Sequence, residues 1–220
     1  MKLRYEGTTY NNEVYRLVPK NTKVLDIGCN TGYLGEALIN KKDCYVFGID
    51  FSREALKIAK KKLNKTKRFD LEKYQNPRIN EKFDVIIFAD VLEHVRYPKR
   101  LLNIYKNLLS EKGIIIASVP NVANIKNRFN LFCGNWDYTR IGILDETHLR
   151  FFTKKTAMNL FKKSGYKPTL ADYTSGFSFL FFRYFEALKK IRKILCGLNK
   201  NLFALQFIII AKPRIKKIKI

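Results

Sequence analysis

Two histidines stand out because the chain has no others: His94 and His148. His94 closes the stretch Asp90-Val-Leu-Glu93-His94, in which positions 90, 93 and 94 share one face if the segment is helical. Two carboxylates beside an imidazole form an oxygen/nitrogen donor set suited to a divalent cation such as Mg²⁺ or Mn²⁺. His148 lies in the polar and aromatic run Asp145-Glu-Thr-His-Leu-Arg-Phe-Phe-Thr153. A neutral imidazole there can accept or orient a proton near pH 7. Glu93 and His94 have a plainer reading too, as residues that shape a pocket or cap the following turn. Arg150 can hold an anionic group or pair with Asp145, and Trp136 and Tyr138 can line a pocket or pack in the core.

A second constellation is Val24-Leu-Asp-Ile-Gly-Cys-Asn-Thr-Gly32. An apolar run ending in glycines reads as a buried strand turning tightly beside a ligand. The spacing Gly28, Asn30, Gly32 does not fit GxGxxG, and the GK[ST] of a phosphate-binding loop is absent. The loop is therefore nucleotide-like without being built for phosphate. The helix N-terminus that follows it can still hold a carboxylate. Asp50 ends the next strand, where a carboxylate can accept both hydroxyls of a ribose. Asp70, after a third short strand, can accept an adenine amino proton, or be no more than a solvated turn residue.

These residues need a frame. Lys23–Ile27, Tyr45–Asp50, Phe83–Ala89, Gly113–Val119 and Phe203–Ala211 read as strands, with a short one near Arg68–Leu71. Helices are expected at Tyr33–Asn40, Arg53–Leu63 with Ser52 as N-cap, Pro98–Leu109, and Lys154–Ser164 stopped by Gly165. Alternating strands and helices predict an α/β fold with a doubly wound, mostly parallel sheet. Runs such as VIIFA and IIIA suit strands buried on both faces.

VLDIGCNTG, VFGIDFS, FDVIIFADVLEHV and GIIIASVPN occur in that order over Val24–Asn121. Together they resemble the successive motifs of class I S-adenosylmethionine (SAM)-dependent methyltransferases. The resemblance implies a seven-stranded sheet with the last strand antiparallel, and SAM as methyl donor. It places Asp26, Gly28, Asn30, Gly32, Asp50, Phe51, Asp70, Leu71 and Ala89 around that donor. Asn30 replaces the family's commoner glycine, a change that a left-handed backbone tolerates.

The LEHV stretch is similar to two metal-assisted groups. One methylates phenolic hydroxyls in ubiquinone biosynthesis; the other methylates the terminal 2′-hydroxyl of small RNAs. By that likeness Asp90, Glu93, His94 and His148 are metal ligands and His148, His94 and Glu93 the catalytic groups, with Asp90 departing from the usual Glu. WDYTRIGILDETHLRFFT also looks like methyltransferases of surface-glycan assembly. The expected acceptor is a hydroxyl of a small molecule or of a lipid-linked glycan. RNA 2′-O-methylation is the alternative, although no RNA-binding module is visible. A SAM-binding protein without catalysis is the third reading.

The 220 residues suit a single domain, 1–220. Within it, 176–201 reads as a helical insertion before the last strand and 212–220 as a basic tail. The net charge is +24, and residues 187–220 carry ten Lys/Arg and no Asp or Glu. Phe177–Leu198 has the pattern of an amphipathic helix, either a lid on its own domain or a contact with an anionic membrane surface. The opening residues show no apolar signal core, no CxxC pairing is present, and no apolar run is long enough to span a bilayer. These features lead to the expectation of a cytoplasmic protein, peripheral to a membrane at most.

Overall fold

The computed structural model describes residues 10–73, 75, 77–175, 194 and 197–214. Its centre is a seven-stranded sheet in the order β3-β2-β1-β4-β5-β7-β6. The strands are β1 (Lys23–Ile27), β2 (Tyr45–Asp50), β3 (Lys65–Arg68), β4 (Phe83–Ala89), β5 (Leu109–Pro120), β6 (Tyr166–Ser175) and β7 (Ala204–Pro213). The first five run parallel, while β7 pairs antiparallel with both β5 and β6.

Helices cover both faces. Val14 of α1 (Asn12–Leu17), Leu34 and Leu38 of α2 (Tyr33–Lys42), and Leu56 and Ala59 of α3 (Arg53–Ala59) share a core with Val24, Val46, Val85 and Ile87. On the other face, Leu101, Leu102 and Tyr105 of α4 (Pro98–Lys106) and Ala157 and Phe161 of α6 (Lys154–Lys163) pack on Leu25, Ile27, Ile86 and Phe88. Successive residues of β1 and β4 thus enter opposite cores, the physical meaning of their unbroken apolar runs. A further helix, α5 (Ile125–Phe132), follows β5.

The expected doubly wound sheet is the observed one. The differences are local. The third strand lies at 65–68, and Leu71–Lys73 forms a 3-10 turn instead, because Asp70 turns back to accept the Glu72 amide at 3.0 Å. β6 was not foreseen, since YKPTLADYTS is polar at the sheet edge and contains a proline. The helix of residues 90–94 is only a 3-10 turn, Leu92–His94. Most of the expected insertion, and the end of the basic tail, lie outside the described residues. No described helix is long and apolar enough to cross a membrane.

The chain turns from building β1, β2 and β3 on one side to β4 and β5 on the other. A crevice therefore opens beyond the carboxyl ends of β1 and β4. Gly48 lets the elements near that crevice close up. A Cβ there would meet Leu63 Cδ1 at 2.5 Å and Cys29 Sγ at 2.7 Å. Gly48→Ala is expected to cost about 1–3 kcal/mol by overpacking, read as a lower urea midpoint.

Candidate active site

The loop after β1 takes its shape from left-handed residues: Gly28 (φ 73°), Asn30 (φ 49°) and Gly32 (φ 81°). Asn30, the substitution noted above, adopts the conformation required. The Gly28 and Cys29 amides donate to the Ile49 carbonyl at 2.7 and 3.0 Å. The Asp50 carboxylate then fastens two turns at once. Its Oδ2 accepts the Asn30 amide at 2.9 Å and its Oδ1 the Ser52 amide at 2.8 Å. Ser52 in turn caps α3 by accepting the Ala55 amide. Phe51 projects beside this junction, 52% exposed although it follows a buried strand. Asp26 is buried beneath the loop. Desolvation first, and the nearby Asp50 charge second, push its carboxyl up to about 7.

Beyond β4, Asp90 is held in the left-handed region (φ 54°) by a reciprocal pair with β5. Its amide donates to Ser118 Oγ at 2.9 Å, and the Ser118 hydroxyl donates back to Asp90 Oδ1 at 2.8 Å. Gln206 of β7 adds a second donor to the same oxygen at 2.9 Å, and Asn11, the N-cap of α1, donates to Gln206 Oε1 at 3.2 Å. Burial raises the Asp90 carboxyl above its ordinary range, opposed by the Ser118 bond.

Glu93 is 1% exposed, and neither of its carboxylate oxygens has a hydrogen-bond partner. Burial first, and the Asp90 charge next, raise its carboxyl well above the usual range. Ligand atoms of Glu93, His94 and His148 all lie within 4.8 Å of one another. The loop carrying His148 is pinned over Glu93, whose carbonyl accepts the Leu149 and Arg150 amides at 2.8 and 3.0 Å. Both imidazoles are oriented by backbone carbonyls: His148 Nδ1 lies 3.0 Å from Ile143 O, and His94 Nδ1 lies 3.2 Å from Thr147 O. A carbonyl only accepts, so in the neutral rings Nδ1 bears the proton and Nε2 the lone pair.

Three of the four expected metal ligands therefore converge. Asp90 lies outside this group of three, and Ser118 and Gln206 both donate to its Oδ1. Asp145 lies close by and accepts from the Thr147 amide and hydroxyl at 2.8 and 2.5 Å. An aromatic wall flanks His148. Phe151 stacks edge-on with His148 at 6.3 Å and with Trp136 at 5.7 Å, and lies tilted against Tyr138 at 6.4 Å.

A family model described as a methyltransferase domain matches residues 4–171. This chain belongs to the class I SAM-dependent methyltransferases. Among curated relatives, the ubiquinone biosynthesis O-methyltransferase of Glaesserella parasuis is 34% identical over 108 residues, covering 45% of this chain and 45% of that protein. That of Actinobacillus pleuropneumoniae is 36% identical over 108 residues, covering 45% and 46%. The matched stretch thus spans under half the length of these relatives. Among solved structures, a SAM-dependent methyltransferase from Archaeoglobus fulgidus superposes with TM-score 0.59 at 20% identity, covering 87% of this chain and 86% of that one. Magnesium protoporphyrin IX methyltransferase from Synechocystis, with bound S-adenosylhomocysteine, gives 0.58 at 17% identity, covering 90% and 75%. At such identities these structures speak for the fold alone.

The crevice of a class I methyltransferase suits SAM here on local evidence. The left-handed loop lets a ligand approach its backbone closely, Asp50 keeps further acceptor capacity, and Phe51 is half exposed. Asp70 and Leu71 stand at the same ends of the strands, Asp70 exposed and Leu71 packed partly on the core, with Ala89 partly buried at the end of β4. Sequence reasoning missed Ser118, Gln206 and Phe151. Ser118 lies inside GIIIASVPN and Gln206 inside an apolar strand, and their roles toward Asp90 come only from cross-strand contacts.

The raised Asp26 carboxyl has a measurable consequence. A buried acid raised from 3.8 to about 7 favours the folded state while protonated and loses that advantage as pH climbs between those values. Without ligand, urea unfolding should show Asp26→Asn gaining on the parent chain by on the order of 3 kcal/mol between pH 4 and pH 8. A constant difference across that range would place Asp26 in water.

Proposed function

We propose that the chain transfers the SAM methyl group to a hydroxyl of a small molecule or lipid-linked glycan, with a divalent cation held by Glu93, His94 and His148. One observation carries the metal reading: a buried carboxylate with no hydrogen-bond partner, facing two imidazoles. An unpaired buried charge is costly, and a cation in that place would remove the cost. The donor set of one carboxylate and two imidazoles suits Mn²⁺ or Zn²⁺ better than the all-oxygen preference of Mg²⁺. The O-methyltransferase names of the curated relatives support oxygen as the acceptor atom.

In this reading the loop after β1, with Asp26 beneath it, receives the amino-acid end of SAM. Asp50 takes the ribose hydroxyls and Phe51 covers the base. SAM supplies a methyl already activated for displacement, and the cation would make the acceptor hydroxyl more acidic. The protein's work is alignment. Ile143 O and Thr147 O set the two imidazoles, Asp90 is clamped between β5 and β7, and the Phe151–Trp136 wall offers a face for an acceptor ring. The carboxyl-end placement also keeps acceptor and donor on one side of the sheet.

A second reading rests on the same His148 geometry. With Nδ1 anchored on Ile143 O, Nε2 can take the hydroxyl proton directly as the oxygen–methyl bond forms and the sulfur–methyl bond breaks. RNA as acceptor draws on the +24 charge and the likeness of the metal set.

Purified protein loaded with Mn²⁺ or Zn²⁺ and dialysed is expected to retain about one equivalent by mass spectrometry, falling to background in Glu93→Gln and His148→Asn. Methyl transfer to catechol or glycan acceptors should drop by about 100-fold in Glu93→Gln. Full activity after chelation, together with loss in His148→Asn, would exchange metal assistance for direct proton transfer. No calorimetric affinity for S-adenosylhomocysteine in well-folded protein would end both.

A further inference from the structure

At the start of α4, next in sequence to His94 and His148, lies a groove of about 590 Å³ lined by Arg96, Tyr97, Lys99, Arg100 and Arg150 together with Pro98 and Leu160, and by no carboxylate among the described residues. Arg96, Lys99 and Arg150 are exposed on this wall, and like charges gathered on one concavity favour an anion there. The start of α4 adds to the field. This nine-residue helix has no side-chain cap, no acidic residue in its first turn, and proline at its first position. Pro98 has no N–H and the Arg100 amide donates to the Tyr97 carbonyl at 3.0 Å, so the helix start contributes the positive end of its dipole rather than a set of free amides. The carboxylate of Glu72 is turned to the Arg96 backbone amide, at 2.9 Å.

The groove is joined rigidly to the proposed transfer centre. The Arg150 guanidinium donates from Nε and Nη2 to the Arg96 carbonyl at 3.0 and 2.6 Å, while its own amide donates to Glu93 O. Arg150 follows His148 by two residues, and Tyr97 follows His94 by three. Tyr97 is 53% exposed at the groove.

We propose that this groove binds the phosphate or diphosphate group of a phosphorylated acceptor. Arginine-rich concavities match phosphate oxygens by paired N–H donation. The volume is that of an ordinary small-molecule site, roomy enough for a diphosphate and an attached ring. That the bound ester is the methyl acceptor rests on the methyl-transfer reading above; the anion site stands on the groove alone. Two sources share the chemistry, a nucleoside-diphosphate sugar and a polyprenyl-diphosphate sugar.

The test is calorimetry on the full chain at fixed ionic strength with saturating S-adenosylhomocysteine, titrating inorganic diphosphate, UDP and farnesyl diphosphate. Saturable one-to-one binding is expected, weakened about tenfold or more in Arg96→Ser/Lys99→Ser, with S-adenosylhomocysteine affinity unchanged. Lys57→Ser/Lys60→Ser, on α3 across the sheet, should leave it within about twofold. Tighter UDP identifies the nucleotide source, and tighter farnesyl diphosphate the lipid source. Equal weakening by both double variants, or no saturation, reduces the effect to net charge and overturns the site. A single-stranded RNA oligomer that alone binds in a groove-dependent way overturns it too. Loss of S-adenosylhomocysteine binding with diphosphate binding intact defeats the methyl-transfer reading and leaves the anion site standing.

Discussion

The Asp50 carboxylate joins two turns that would otherwise be independent. One oxygen holds the Asn30 amide of the loop after β1, and the other holds the Ser52 amide at the start of α3. Each bond satisfies a backbone donor that a left-handed loop or a helix start leaves without a ladder partner. The loop after β1 and the start of α3 are thus shaped by bonds within the chain itself. Preformed sites lose less entropy on binding, and here that pre-organisation comes from one aspartate at the end of a buried strand.

Acids are scarce in this chain, 19 against 43 basic residues, yet Asp26, Asp50 and Glu93 sit buried, and Asp90 partly buried, near the carboxyl ends of β1, β2 and β4. They are not equivalent. Asp50 and Asp90 are hydrogen-bonded into the frame. Asp26 and Glu93 are raised by desolvation, Glu93 with no partner at all. Glu93 alone of the four has both carboxylate oxygens buried without a partner, which is what marks it as the candidate for a ligand or for chemistry. On the basic side, charge concentrates likewise, with Arg96, Lys99, Arg100 and Arg150 sharing one groove.

Much of this was legible in the sequence wherever local physics decides the outcome. VLDIG and FDVIIFA announce strands buried on both sides, Ser52 caps its helix as its type suggests, and Asn30 takes the left-handed turn that its short amide side chain tolerates. What stayed hidden depends on distant partners. β6 is stabilised by pairing with β7 rather than by an apolar pattern. Asp90 looked like a ligand because it precedes Glu93 and His94 by helical spacing; the stretch forms only a 3-10 turn, and the aspartate turns instead to Ser118 and Gln206. His148 joins Glu93 and His94 only because two backbone amides dock its loop on the Glu93 carbonyl, a contact without side-chain signature.

The Gln206–Asp90 bond spans 116 residues and ties the carboxyl end of β4 to a strand inserted between β5 and β6. During synthesis β1 to β5 can pair as they emerge, since each lies beside a predecessor. Asp90 meets its second donor only after β7 has left the ribosome and threaded into the sheet. A nascent or truncated chain lacking that strand would own every recognisable motif and still have an unfinished centre. The hydrogen bonding of Asp90 is therefore completed late, by β7.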